Sequence, residues 1–591
     1  MVLVAVMSVA RYSCCSIMTV PVESAAGDSP NRLPWLTMTT MGISPQTQAF
    51  IDAHRTEDVR DLALRAKKSE GLDLPFALDQ IAGWQTARHK LPEWAGCDGI
   101  VYPPHLSMEQ CSSQFTARYK ASVARRLTAP VSEHADREPP RSGTLVDLTG
   151  GFGVDCSYMS REFSHAVYVE RQEHLCVLAV HNMNALGLRH VAVVNADAEE
   201  YLRALTGESG DRRPESHQDH SDHLHCPDPN ARQAQELRQD RESSWIGGSH
   251  RQESESADSR STVVPTIPAA AAAATPVSLI FLDPARRDEH GARTYAIEDC
   301  TPNVLELRDR LLAAAPCVMI KLSPMLDWRK AVADFGGAVS EVHIVSTGNE
   351  CKELLLVLQR HESGAGDTGT ADAAGSTGAY TSTAAGNAAP DNSAPGNPAV
   401  IAAAAMHGPS PDIAPASDGT PGNPDPPLTL RVYCVNDGDV VSYDYDPNGA
   451  SSDRSLRLAP LPEPMAYLYE PHASIMKAGC FALVERRYGV VQIGPDSHLF
   501  VGARRIDDFP GRAFAIDTVT AMGKRERKTA LAGITRANIS VRNFPLTAPQ
   551  LRAKLKLADG GDVYLFGTTM QGGRHVLIRA AKVRAEASTD R

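Results

Sequence analysis

The chain has 591 residues, a formal net charge of -12 and an apolar fraction of 42%. That length exceeds what one hydrophobic core usually supports and calls for several domains. The acidic balance argues against a uniformly basic nucleic-acid coat, although a local basic surface fits inside an acidic total. The 12 cysteines, without a CxxC pair or regular spacing, suit reduced thiols in a cytoplasmic protein better than a disulfide framework or a zinc site.

The opening "MVLVAVMSVARYSCCSIM" is apolar but is interrupted by Arg11. It falls short of a membrane span and lacks a cleavage site, so residues 1–44 are expected to be a disordered extension. Residues 45–130 form a helical N-terminal domain in this reading. "TQAFIDAHRTEDVRDLALRAKK" and "PFALDQIAGWQTARHKLPEW" carry apolar residues at three- and four-residue steps. After "GIVYPP", "SMEQCSSQFTARYKASVARRL" resumes that period, and Arg118, Lys120, Arg125 and Arg126 make it basic.

Residues 140–360 alternate strand and helix patterns. "TLVDL", "AVYVE", "VAVVNA", "SLIFLD" and "CVMIKL" are short β-rich runs with helical pieces between most of them. The pattern predicts an α/β fold, a Rossmann-like, mostly parallel sheet. "EVHIVS" and "ELLLVL" lie too close together for a crossover helix and should pair antiparallel at the sheet edge. A polar low-complexity insert, residues 207–275, leaves this unit and returns to it. Residues 361–427, rich in Gly, Ala, Ser, Thr, Pro and Asn, read as a disordered linker.

Residues 428–514 begin with a hairpin, "LRVYCVNDGDVVSYDY", around an Asn-Asp-Gly turn. Between Ala515 and Arg591 there are 14 basic and 6 acidic residues, a local positive excess on an acidic chain. Lys524, Arg525, Arg527, Lys528, Arg536, Arg542, Arg552, Lys554 and Lys556 are clustered there, as phosphate contacts require.

The stretch that carries chemistry is "LVDLTGGFGVD". A turn that passes close to a ligand needs glycines, and Gly150, Gly151 and Gly153 follow Asp147 and Thr149 directly after a strand. A dinucleotide fingerprint would place its third glycine where Cys156 stands. Glu170 ends the second strand, where a carboxylate accepts hydrogen bonds from ribose hydroxyls. Asp197, followed by Ala198, comes after the third strand and can receive an adenine amino group. Acids at these three places suit a cationic sulfonium cofactor, S-adenosylmethionine, better than a pyrophosphate, which wants amides and cations. The plainer alternative is that Asp147 caps the turn and Asp197 caps the next helix.

These segments, with "YVER", "NADAEEYL", "FLDPARRD" and "IKLSPMLDW", resemble class I S-adenosylmethionine-dependent methyltransferases that bear a C-terminal THUMP-like domain. "YLYEPHASIMKAG" and "DFPGRAF" resemble that family's ferredoxin-like domain. "ANISVRNFPLTAPQLRAKLKLADGGDVYLFGTTMQGGRHVLI" resembles its THUMP-like domain, placed here at residues 515–585. "LPEWAG", "GIVYPP" and "EQCSSQFTARYKAS" match its helical N-terminal part. The resemblance implies RNA, transfer or ribosomal, as the partner, with the basic "ARYKASVARR" helix extending the same track.

Asp283, Pro284 and Arg286 stand in "DPAR" at the end of the fourth strand, on the ligand side of an open α/β sheet. Amino-group methyltransferases often have Asp-Pro-Pro-aromatic there. Ala285 and Arg286 depart from that pattern and leave the acceptor atom open, though a guanidinium can stack on a base or bind phosphate. Asp283 is the candidate for positioning or deprotonating the nucleophile. Lys321 faces the same rim, with a salt bridge as its structural alternative. Cys351 is the one position for covalent catalysis, and a quiet core thiol is the better reading. The His-rich "HQDHSDHLHC" reads as disorder rather than a metal site, and no metal or membrane partner is expected. Two other functions stay open: an RNA-binding module that keeps the cofactor as a structural ligand, and a methyltransferase acting on a protein or small molecule.

Overall fold

The computed structural model describes residues 43–67, 69–129, 142–208, 276–285, 296–360, 429–447 and 459–583. Nearly all of the expected N-terminal extension and insert, the whole 361–427 linker and Arg286 lie outside the described residues. These residues fall into two compact units. The first holds the described residues up to Ser122 together with Gly150–Ala196, and the second holds the remainder. The backbone passes between them at the Ser122–Val123, Thr149–Gly150 and Ala196–Asp197 peptides.

The α/β segment supplies β1 (Thr144–Asp147), β2 (His165–Glu170), β3 (Val191–Asn195), β4 (Val277–Leu282) and β5 (Cys317–Leu322). Then come β6 (Val339–Thr347), β7 (Glu350–Gln359), β8 (Leu430–Asn436) and β9 (Asp439–Tyr445). The C-terminal residues add β10 (Tyr467–Pro471), β11 (Val491–Gln492), β12 (Phe500–Gly502) and β13 (Gly511–Ala521), then β14 (Asn538–Arg542), β15 (Val563–Thr569) and β16 (His575–Lys582).

In the first unit, helices run over Pro45–His54, Val59–Arg65 and Leu74–Lys90. Each starts on a side chain that accepts a backbone N–H of its first turn, from Ser44, Asp58 and Asp73 in turn. Trp94, Ile81 and Ala77 are fully buried in this helical part. In the same unit β2 pairs parallel with β3, and helix Glu173–Ala185 connects them.

In the second unit, strands adjoin in the order β1-β4-β5-β7-β6-β8-β9. β1, β4 and β5 are parallel neighbours, and β7 is antiparallel to both β5 and β6. β1 is buried throughout, and the last four residues of β4 are buried in a row. Such unbroken apolar runs fit strands covered on both faces.

Two expectations change. The antiparallel β6/β7 pair is not the sheet edge, because β8 pairs parallel with β6 and carries β9 outside it. The 428–447 hairpin therefore belongs to this sheet and not to the ferredoxin-like segment with which the sequence grouped it. Its turn is the expected one: Asp437 (φ 49°) and Gly438 (φ 103°) take the left-handed backbone of a two-residue hairpin loop.

The C-terminal residues form a second sheet in the order β11-β12-β10-β13-β16-β15-β14. β13 serves both halves of it: residues 511–515 pair with β10, and residues 514–521 pair with β16. A register shift between Ile516 and Thr518 marks a bulge, the usual means of bending a long strand. The bend lets residues on both halves share one core. Leu468, Ile493, Leu499 and Val501 pack with Phe514, Phe566, Val576 and Ile578. The two edges meet as well: Asn543 Nδ2 donates to Pro495 O at 2.7 Å, and Gln571 N–H donates to Ile493 O at 2.9 Å. The expected boundary at 514/515 thus cuts through one strand.

Candidate cofactor and catalytic site

Asp147 ends β1 with 1% exposure, and its Oδ1 accepts the Thr149 N–H at 3.1 Å. Gly150 then donates its N–H to Val169 O at 2.9 Å, and Gly153 N–H returns to Gly150 O at 2.8 Å. Gly151 (φ 54°) and Gly153 (φ 86°) occupy left-handed backbone. Gly150 is glycine for a different reason. A Cβ there would sit 2.1 Å from the ring of Tyr168, which is fully buried beneath the turn. Tyr168 OH also donates to Gly151 O. Tyr168 escaped the motif-based reading, although the alternation in "AVYVE" is the signal that turns it inward.

Glu170 closes the turn against β2. Its Oε2 accepts the Gly151 N–H at 3.0 Å and its Oε1 accepts the Gln172 N–H at 2.9 Å, in a buried setting. Oε1 also accepts from Gln172 Nε2 at 3.3 Å, so the lone pair beyond these bonds is on Oε2. Asp197 is exposed and caps helix Ala198–Thr206: Oδ1 accepts Glu199 N–H at 2.9 Å and Glu200 N–H at 3.4 Å. The capping alternative is thus present at both Asp147 and Asp197. Among the described residues, Asp197 Oδ2 accepts no hydrogen bond. Ala198, the first helical residue, is buried.

The ends of β4 and β5 bring two expected catalytic residues together. Lys321 Nζ lies 2.5 Å from Asp283 Oδ2, with side chains 13% and 37% exposed. The salt bridge considered as the structural alternative for Lys321 is therefore made to the candidate acid itself. Asp283 N–H donates to Thr149 Oγ1 at 2.6 Å, which ties the end of β4 to the residue before the glycines. Thr149 has this positioning bond in place of a directly evident ligand role. Pro284 is buried, and Ala285 exchanges backbone hydrogen bonds with Thr301 at 2.8 and 3.0 Å. Met325, on the loop after β5, is 78% exposed, which no sequence signal marked.

Burial pushes the Cys351 thiol up to about 11, which leaves it protonated near neutral pH and fits the quiet-thiol reading. The basic helix Gln114–Thr128 divides its charges between the interior and the surface. Lys120 is fully buried 3.3 Å from Asp155 Oδ1, and Ser112 Oγ donates to Asp155 Oδ2 at 2.7 Å. Arg118 pairs with Glu93 at 3.1 Å, and Arg126 with Glu341 at 2.7 Å. Lys120 is thereby removed from the track that the sequence suggested, while Arg118, Arg125 and Arg126 are exposed.

The C-terminal cluster divides. Arg552 donates to Ala537 O and Ala558 O and pairs with Asp559, while Arg536 Nε donates to Asp559 O. Lys524, Arg525, Lys528, Lys554 and Lys556 are exposed. Among the described residues, no group of three or more His, Cys, Asp or Glu side chains is placed to hold a metal, and no helix is long and apolar enough to cross a membrane.

Residues 467–510 match the family model of a ferredoxin-like domain, and residues 511–582 that of a THUMP domain-like region. A crystal structure of a candidate methyltransferase from Porphyromonas gingivalis W83 is similar at 23% identity and TM-score 0.59, over 92% of this chain and 98% of that one. A candidate RNA methyltransferase from Pyrococcus horikoshii overlaps at 9% identity and TM-score 0.26, over 47% of this chain and 97% of that one. No curated protein sequence matches the chain. The fold is α/β and Rossmann-like, and it is shared with the Porphyromonas gingivalis structure. Its C-terminal residues 467–582 are similar to ferredoxin-like and THUMP-like domains.

Proposed function

We propose that the protein is a cytoplasmic S-adenosylmethionine-dependent methyltransferase that modifies RNA, transfer or ribosomal, gripped by its THUMP-like region. The observation that carries the reading is the placement of acids after β1, β2, β3 and β4, with the last of them held by an ammonium. Open α/β sheets present ligand-binding groups at these strand ends. The donor set fits the cofactor. Carboxylates at Asp147, Glu170 and Asp197 accept from ammonium, ribose hydroxyl and adenine amino groups, and they favour a sulfonium cation over a pyrophosphate.

In this reading Asp147, Thr149, Gly150, Gly151 and Gly153 serve the methionine end. Glu170 serves the ribose, Asp197 and Ala198 serve the adenine, and Asp283 lines the transfer end. Bound there, the cofactor supplies a methyl group already activated by its positive sulfur. The chain's own residues then have to orient the acceptor and receive its proton. Asp283 does this through its carboxylate, Lys321 fixes the direction of that carboxylate, and the buried Pro284 fixes the backbone beside it. Arg286 is assigned to the RNA, by stacking on a base or contacting a phosphate.

Calorimetry tests the cofactor claim: heat is expected with S-adenosylmethionine and none with NADH, and the reverse sinks it. Incubation with total RNA tests the substrate claim. Release of S-adenosylhomocysteine together with a new methylated nucleoside by mass spectrometry is expected. Binding of the cofactor without turnover on any RNA would instead favour the non-catalytic RNA-binding alternative.

A further inference from the structure

Glu470, near the end of β10, is 2% exposed, and it meets two arginines from opposite halves of the bent sheet. Arg512 stands directly across from it on β13 and donates through Nη2 to Glu470 Oε2. Arg542, the last residue of β14, donates through Nη2 to Oε1 at 2.8 Å. One carboxylate thus holds two guanidinium groups, and a positive charge is left over. No other acid lies within ion-pair distance of either arginine among the described residues.

A guanidinium has five N–H donors, and Glu470 takes one nitrogen of each. The Nε of both arginines is buried without a hydrogen-bond partner among the described residues, so on these side chains, 41% and 39% exposed, the donors that face solvent are on the Nη nitrogens. Thr568, in register with Arg542 on the neighbouring strand, is fully buried with an unpartnered hydroxyl. Arg552 shows the contrast, since it spends its donors on two carbonyls and Asp559. A pair of arginines built only as a strut would be neutralised in that way.

We propose that Arg512 and Arg542, pre-oriented by Glu470, form a clamp for one phosphodiester group of the bound RNA. The planar guanidinium matches phosphate oxygens two at a time, and ordering it beforehand cuts the entropy lost on binding. This inference rests on the RNA reading above and adds where the backbone is held.

The test is binding of bulk transfer RNA to the full chain between about 50 and 200 mM salt. Arg512→Gln and Arg542→Gln each leave one arginine on Glu470, and each is expected to lower the slope of log affinity against log salt by about 1. Arg512→Lys and Arg542→Lys keep the charge facing Glu470 and should retain that slope while weakening affinity, because the fork is lost. Unfolding midpoints show which variants are folded. If wild type binds and folded Gln and Lys variants match it in slope and affinity, the clamp is overturned and the RNA reading stands. If wild type fails to bind at low salt, both fall.

Discussion

The strand ends of residues 144–322 and the bent sheet of residues 467–582 both concentrate charge, with opposite sign. At the strand ends, acids take backbone N–H groups: Asp147 from Thr149, Glu170 from Gly151 and Gln172, Asp197 from its helix. In the C-terminal sheet a single buried carboxylate, Glu470, is faced by two arginines. On the proposed reading, acids bound to amides would serve a small cationic ligand, whereas arginines fastened at one nitrogen would keep donors for a polyanion. The difference sorts the two regions by the charge of what each can hold.

The largest effect that would break this contrast is catalytic. Asp283→Asn should lower methyl transfer to RNA by about 10²–10⁴-fold, read by S-adenosylhomocysteine release from protein that unfolding shows to be folded. Unchanged turnover would remove Asp283 from the chemistry. Next is a comparison of buried carboxylates. Lys120→Met takes the ammonium away from Asp155 and should cost about 3–5 kcal/mol in a denaturant titration. Arg542→Gln should cost less, since Arg512 still faces Glu470.

Gly150→Ala forces a methyl group against the Tyr168 ring and should cost about 1–3 kcal/mol while weakening cofactor binding. A variant as stable as wild type would show that the turn is not packed on that ring. Asp197→Ala removes a helix cap worth about 1 kcal/mol. Asp58→Ala removes a cap of the same kind on helix Val59–Arg65. Both should lower stability alike, but only Asp197→Ala should weaken S-adenosylmethionine binding by calorimetry.

The smallest effect is a pH limb. Burial works to raise Glu341, but hydrogen bonds from His343 and Arg126 overcome it and hold the carboxyl at about 2, below its usual 4.5. Burial also lowers His343 below 6.5. Both folded-state values lie below the unfolded ones, so the unfolded chain binds more protons. Stability is full above 6.5, begins to fall as His343 protonates in the unfolded chain, and falls again from 4.5 down through about 2. Glu341→Gln should flatten the lower part of that limb in acid titrations of unfolding.

Strands were the most legible part of the fold, because "CVMIKL" and "SLIFLD" are apolar runs bounded by turns. The Asn436-Asp437-Gly438 turn also named its hairpin. Its partner was hidden, since nothing in the period of "LRVYCVN" says that β6 rather than β10 lies beside it. The bend in β13 was hidden for the same reason: Asp517 is one residue out of register and looks like any polar position. At the candidate site, residue types and strand ends were visible in the sequence. What each oxygen does was not, because Glu170 on Gly151 and Lys321 on Asp283 depend on partners 19 and 38 positions away.

The shared strand has a consequence for independent folding. A polypeptide ended at Pro510 would leave β10 with one bare flank, and one begun at Gly511 would carry half a ribbon with nothing beside it. The two matched domains meet at that very peptide bond, so neither should fold alone as the complete sheet seen here. In this chain they form one folding unit.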